Sequence, residues 1–106
     1  QYLYQASYTP ESLAAQMKNP VDRLAQVGAL MEQSVGAKII CGGFSFGDYD
    51  IAVILEADND ATAAAVAIAI AADGAIRSAK TTPLLSGGEW IAAMTTASKI
   101  TYTPAK

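Results

Sequence analysis

The sequence predicts an α+β fold in which four strands and two long helical regions follow one another in the order β-α-β-β-α-β. Three observations predict it: two extended runs meeting at Gly47-Asp48, helical spacing with end signals on either side of them, and period-two segments near both ends of the chain. With 106 residues the chain suits one domain. We expect it to span residues 1–98, followed by a polar, Thr-rich tail over 99–106.

Tyr2, Tyr4, Ala6 and Tyr8 alternate with Leu3, Gln5 and Ser7, as in a strand. Thr9 as N-cap and Pro10 at the first helical position start a helix. Leu13 and Met17 share a face before Asn19-Pro20 interrupts. The spacing resumes at Val21, Leu24, Val27 and Met31, and Gly36 suits the stop. Lys38 to Glu56 then reads as a hairpin whose two-residue turn uses Gly47 for a positive φ. That register pairs Ser45 with Asp50, Phe44 with Ile51, Cys41 with Ile54 and Ile40 with Leu55. One face therefore carries Ile40, Gly42, Phe44, Phe46, Tyr49, Ile51, Val53 and Leu55, apolar enough to lie under helices. The opposite face carries Ile39, Cys41, Gly43, Ser45, Asp50, Ala52, Ile54 and Glu56.

Asp58-Asn59-Asp60 opens a second helix over Ala61 to Ala72, whose alanines let it lie close to a sheet. Val66 to Ile70 alternates like a strand, but the caps and the alanine content favour helix. Ala75 to Thr82 forms the last strand, stopped by Pro83. Ser86 and Glu89 have capping-box spacing, and Trp90, Ile91 and Met94 put an apolar stripe on a final short helix with Trp90 as its anchor. Right-handed crossovers fold these elements into a four-stranded antiparallel sheet, order four-one-three-two, with both long helices on one face, the ferredoxin-like arrangement.

Composition narrows the function. Hydrophobic residues make up 52% of the chain and charged residues 16%, so some apolar surface is expected to meet a partner. A net charge of -3 without a basic cluster argues against nucleic acid. The apolar window Ala61 to Ala72 is too short for a membrane span. One unpaired cysteine and no leader-like start suggest the cytoplasm. With no histidine present, zinc sites, His-ligated haem and serine triads are disfavoured, and neither metal nor cofactor is expected.

Tyr8-Thr9 ahead of a helix, Phe46-Gly-Asp-Tyr-Asp50 running into Ile51 to Leu55, and Gly74 to Thr82 together resemble the GYD domain family of small bacterial proteins. The resemblance spans nearly the whole chain. Gly47, Tyr49 and Asp50 match the family signature, with Asp48 where an acidic residue often sits. The family is similar to dimeric α/β barrels, in which two ferredoxin-like sheets pack open face to open face around a cavity; the resemblance assigns no activity. The residues themselves support a homodimer or larger homo-oligomer, because a bare face bearing Ile39, Cys41, Ala52 and Ile54 is a contiguous apolar patch that a second copy covers.

Candidate ligand-binding residues are Ser45, Asp50, Arg77, Tyr4 and Tyr8. A carboxylate at Asp50 suits a cation or base chemistry in a partly closed cavity; the plainer role is a hydrogen bond to backbone or to Arg77. Arg77, across the first strand, can bridge to Asp50 or hold an anion. Tyr2, Tyr4 and Tyr8 form an aromatic row that suits stacking on a flat ligand, though such rows usually form core or interface. Cys41 lacks a source of thiolate character and reads as a small buried hydrophobe. Gly42-Gly43 has no Lys-Ser or Lys-Thr after it, so it marks a bulge or close backbone approach rather than a phosphate loop. Three functions remain: a module binding a small molecule or protein at an inter-sheet cavity, a cofactor-independent oxygenase or isomerase using Asp50, a tyrosine and Arg77, and an assembly protein without a ligand.

Overall fold

The computed structural model describes residues 1–105. Strand β1 (Tyr2–Tyr8) leads into helix α1 (Pro10–Lys18), capped by the Thr9 hydroxyl accepting from the Ser12 N–H. Asn19-Pro20 breaks the helical path, and α2 (Arg23–Val35) restarts under the Asp22 carboxylate and stops at Gly36, whose φ of 72° lies in the left-handed region. Strands β2 (Lys38–Phe44) and β3 (Ile51–Glu56) form the hairpin. Helix α3 (Asp60–Ala72) is capped by Asn59, strand β4 (Ile76–Pro83) follows, and α4 (Gly87–Ala97) begins with both halves of a capping box between Ser86 and Glu89.

The sheet is antiparallel in the order β2-β3-β1-β4. The ferredoxin-like α+β arrangement read from the sequence is the fold. The core lies on the helix side, where Tyr2, Tyr4, Ala6 and Tyr8 of β1 and Ile51, Val53 and Leu55 of β3 are buried with Ala63 and Val66 of α3, and Leu24 and Met31 of α2 pack against them. Burying four β1 side chains of one parity beside three of β3 is what fixes which way the central strands face.

The hairpin departs from the reading in two ways. The connection is the longer loop Ser45 to Asp50 rather than a two-residue turn: the Ser45 N–H donates to the Asp50 carbonyl at 2.8 Å and the Ser45 hydroxyl to the Tyr49 carbonyl at 2.6 Å. Gly47 takes no positive φ, and Phe46 at the loop tip is fully exposed, not under a helix. The loop keeps the same centre, so the pairs from Phe44 with Ile51 to Cys41 with Ile54 stand as expected.

Beyond Cys41 a bulge inserts Ile40, and Ile39 rather than Ile40 pairs with Leu55. Ile39 thus joins the helix side and packs against the core, which corrects its placement on the open face, while Ile40 is exposed. Gly42 accommodates this bulge with a φ of 118°; a Cβ there would sit 2.3 Å from the Ala52 carbonyl oxygen, so only glycine fits.

Candidate functional site

The open side of the sheet is built by strand parity. Leu3, Gln5 and Ser7 of β1 alternate with its buried residues, and their cross-strand partners share their face. One row therefore runs across every strand as Cys41, Ile54, Leu3 and Thr82, and the next as Gly43, Ala52, Gln5 and Lys80. Cys41 is exposed in the single chain, on an edge strand with no other described residue covering it. Leu3, Ala52 and Ile54 are half-buried by neighbours within the sheet.

At one end of this face the hairpin loop is clasped to β1. The Asp50 N–H donates to the Ala6 carbonyl at 2.8 Å, the Asp50 carboxylate accepts from the Tyr8 N–H at 2.9 Å, and the fully buried Ser7 hydroxyl donates to the Asp48 carbonyl at 2.7 Å. Asp50 is thereby an orienting group, holding the backbone of β1 where that strand runs past β3. Ser45 meets it through backbone, and the Ser45 hydroxyl is committed to Tyr49.

Arg77 is not brought to Asp50. A second bulge between Ser7 and Tyr8 leaves Arg77 as the extra residue on edge strand β4, exposed, with β1 between it and β3. The ion pair among the described residues is instead Arg23 with Asp73, at 4.0 Å and half-exposed. Tyr4 and Tyr8 lie on the helix side. The five candidate ligand residues therefore occupy both faces of the sheet, and a single chain does not unite a base, a tyrosine and Arg77 in one space.

The buried phenols have distinct environments. Burial pushes the Tyr4 and Tyr8 hydroxyls above the usual tyrosine range, with Arg23 drawing Tyr8 partly back. Tyr2 is raised chiefly by its hydrogen bond to the Asp60 carboxylate, 2.5 Å away. The Tyr4 hydroxyl is buried without a hydrogen-bond partner among the described residues, and Tyr4 is one of the residues around a void of about 30 Å³ between α2 and the sheet.

A larger cavity, about 260 Å³, opens between α2 and α3 over the end of β1. Tyr8, Leu24, Val27, Met31, Ile70 and Ile76 line it, with Arg23 and Asp73 also on its wall. No motif announces it. Its signal in the sequence is missing volume: alanines such as Ala69 on α3 leave space opposite the longer side chains of α2. No three His, Cys, Asp or Glu side chains gather to hold a metal among the described residues, and no helix there is long and apolar enough to cross a membrane.

The ferredoxin-like sheet with one bare face and a loop tied down by an acidic residue defines a small α+β domain of the open-sheet class. A model of the GYD domain family matches residues 2–94, and the chain belongs to that family. No curated protein and no solved structure gives a match.

Proposed function

We propose that the chain is a non-catalytic binding module that works as a homodimer, two copies pairing open face to open face and holding a small molecule or a protein segment between their sheets. The observation that carries this reading is the row Cys41, Ile54, Leu3 and Thr82, which spans all four strands with no helix of its own chain over it. An uncovered apolar row in the middle of a sheet is what a second copy buries, and a twofold axis is the simplest closed arrangement. Beside it Gln5 and Lys80 supply polar groups, which suits a ligand with an apolar body and an anionic end. A cytoplasmic setting, with its unpaired cysteine reduced, belongs to the same proposal.

Native mass spectrometry of the purified chain tests it directly. A dimer carrying a copurified small molecule is expected; Ile54→Lys, which puts a charge in the middle of the row, should return the monomer without loss of fold. A dimer unaffected by Ile54→Lys sinks the face-to-face pairing.

A second reading places the ligand in the cavity between α2 and α3, favoured by its volume and by Arg23 and the Tyr8 phenol on one wall. Val27→Trp fills that cavity and leaves the open face untouched, so loss of the copurified ligand in this variant alone assigns the ligand there. The catalytic alternative requires turnover that depends on Asp50; unchanged turnover in Asp50→Asn removes it.

A further inference from the structure

Helix α4 is the unexplained element of this fold. Every residue from Pro83 to Ala105 is exposed, including the apolar stripe of Trp90, Ile91 and Met94 and the preceding Leu84 and Leu85. Trp90 is 58% exposed rather than buried as an anchor, contrary to the sequence expectation. The helix is nonetheless well made: its capping box is complete and its backbone leaves the sheet in a defined direction, since the Leu84 N–H still bonds the Gln1 carbonyl and only Leu85 and Ser86 intervene.

The whole chain carries the mark of this projection. Its radius of gyration is 17.3 Å, against about 13 Å for a compact domain of this length. Its accessible surface is 7429 Å² at 11.0 kDa, whereas a compact monomer of that mass exposes about 5,600 Å². The excess is larger than the roughly 800 Å² that each partner contributes to a standard interface. The exposed stretch from Pro83 onward contributes to this excess, and its apolar, capped helix is surface left without a partner in the single chain.

The same chain displays a matching seat. A groove of about 660 Å³ runs between α2 and edge strand β2, walled by Ala25, Gly28 and Ala29 on one side and Ile40 and Phe44 on the other, with Lys38, Glu32 and Asp22 as its charged lining. Phe44 belongs to the helix side by register, yet it is 53% exposed because no helix reaches it. Small residues on one wall and exposed apolar ones on the other admit a bulky side chain such as Trp90.

We infer that α4 is an exchanged arm, whose Trp90-Ile91-Met94 stripe seats in the α2–β2 groove of a second copy of this chain, reciprocally about a twofold axis. The choice of groove rests on the face-to-face reading. A twofold axis parallel to the strands and midway between the sheets puts β4 of one copy beside β2 of the other with strand ends aligned. The Pro83 end of β4, level with Tyr2, Leu55 and Ile39 in the sheet register, then lies at the Lys38 end of the partner's groove. The arm enters there with the first turn of α4 leading. An α-helix of this length spans about 16 Å, within the roughly 23 Å of a strand of the length of β2.

Trp90 is the only tryptophan in the chain, so its fluorescence reports on the arm alone. The test follows sedimentation mass together with the emission maximum and acrylamide quenching of the full chain over a dilution series. The expected result is a dimer with blue-shifted, shielded Trp90 emission that becomes red and quenchable as the dimer dissociates. Ala29→Lys, at an exposed position on the groove wall, should weaken the dimer by about tenfold or more, the scale of one lost interface anchor, and return Trp90 to the solvated signal. A dimer with solvated Trp90 overturns the arm and leaves the face-to-face pairing standing. A shielded Trp90 in a monomer overturns the arm by showing that it folds onto its own chain, and a monomer with solvated Trp90 at every concentration overturns both. Ala29→Lys that leaves Trp90 shielded in an intact dimer overturns the groove as its seat. In Leu3→Glu, persistence of the dimer with shielded Trp90 overturns the face pairing and retains the exchange.

Discussion

Gly42 is the residue with the least freedom to change. Its φ of 118° and the carbonyl 2.3 Å from any added Cβ mean that Gly42→Ala must both strain the backbone and displace β3. We expect a loss of about 2–3 kcal/mol in urea unfolding. Asp50 has a different kind of value: Asp50→Ala strips the Tyr8 N–H of its acceptor and should cost about 1–2 kcal/mol, while Asp50→Asn, which can still accept, should cost less. Tyr4 goes the other way. Because its hydroxyl is buried without a partner among the described residues, Tyr4→Phe should leave stability unchanged or raise it by up to about 1 kcal/mol, and a clear loss would reveal a partner for that oxygen. These residue-scale properties were only partly legible in the sequence. Gly42-Gly43 signals a bulge or close approach in the sequence alone, and an orienting Asp50 is the plainer of its two readings there. The backbone partner at Tyr8 depends on where β1 passes the hairpin, which no local pattern encodes.

The elements were legible wherever a local signal and a burial pattern agreed. Thr9-Pro10, Asn19-Pro20, Gly36 and the capping box at Ser86 placed helix ends from chemistry that acts within a turn. The alanine-rich α3 is a helix for the same reason, despite the strand-like alternation of Val66 to Ile70. The faces of β2 were misread because one inserted residue reverses parity for everything beyond it, moving Ile39 under α2 and Ile40 out. The α2–α3 cavity was invisible since it is an absence of volume between helices distant in sequence. Filling it with Ala69→Leu should raise the thermal midpoint, by about 0.5–2 kcal/mol of stability, and abolish any ligand held there. An unchanged midpoint would mean that the added side chain does not pack into the cavity.

For the molecule as a whole, the three phenols of β1 set the alkaline limit. Tyr2, Tyr4 and Tyr8 each keep their proton above the ordinary tyrosine value, Tyr2 through Asp60 and the others through burial. Above about pH 10 the unfolded chain releases protons that the folded chain retains, so stability is complete below that point and falls as pH climbs through the raised values. Thermal midpoints measured from pH 8 to 11.5 should hold and then drop; in a chain carrying Tyr49→Phe and Tyr102→Phe, where only the three β1 phenols absorb as tyrosinate, that ultraviolet signature should appear together with unfolding, and early ionisation of these phenols without unfolding would contradict their burial. A last consequence follows from the irregularities at Ile40 and Arg77. They fall on β2 and β4, the two outer strands, and interrupt the straight run of backbone groups that would let stray chains add on sideways. Growth into fibrils is thus discouraged at both rims, and contact between molecules is left to side chains, which can finish at a closed pair.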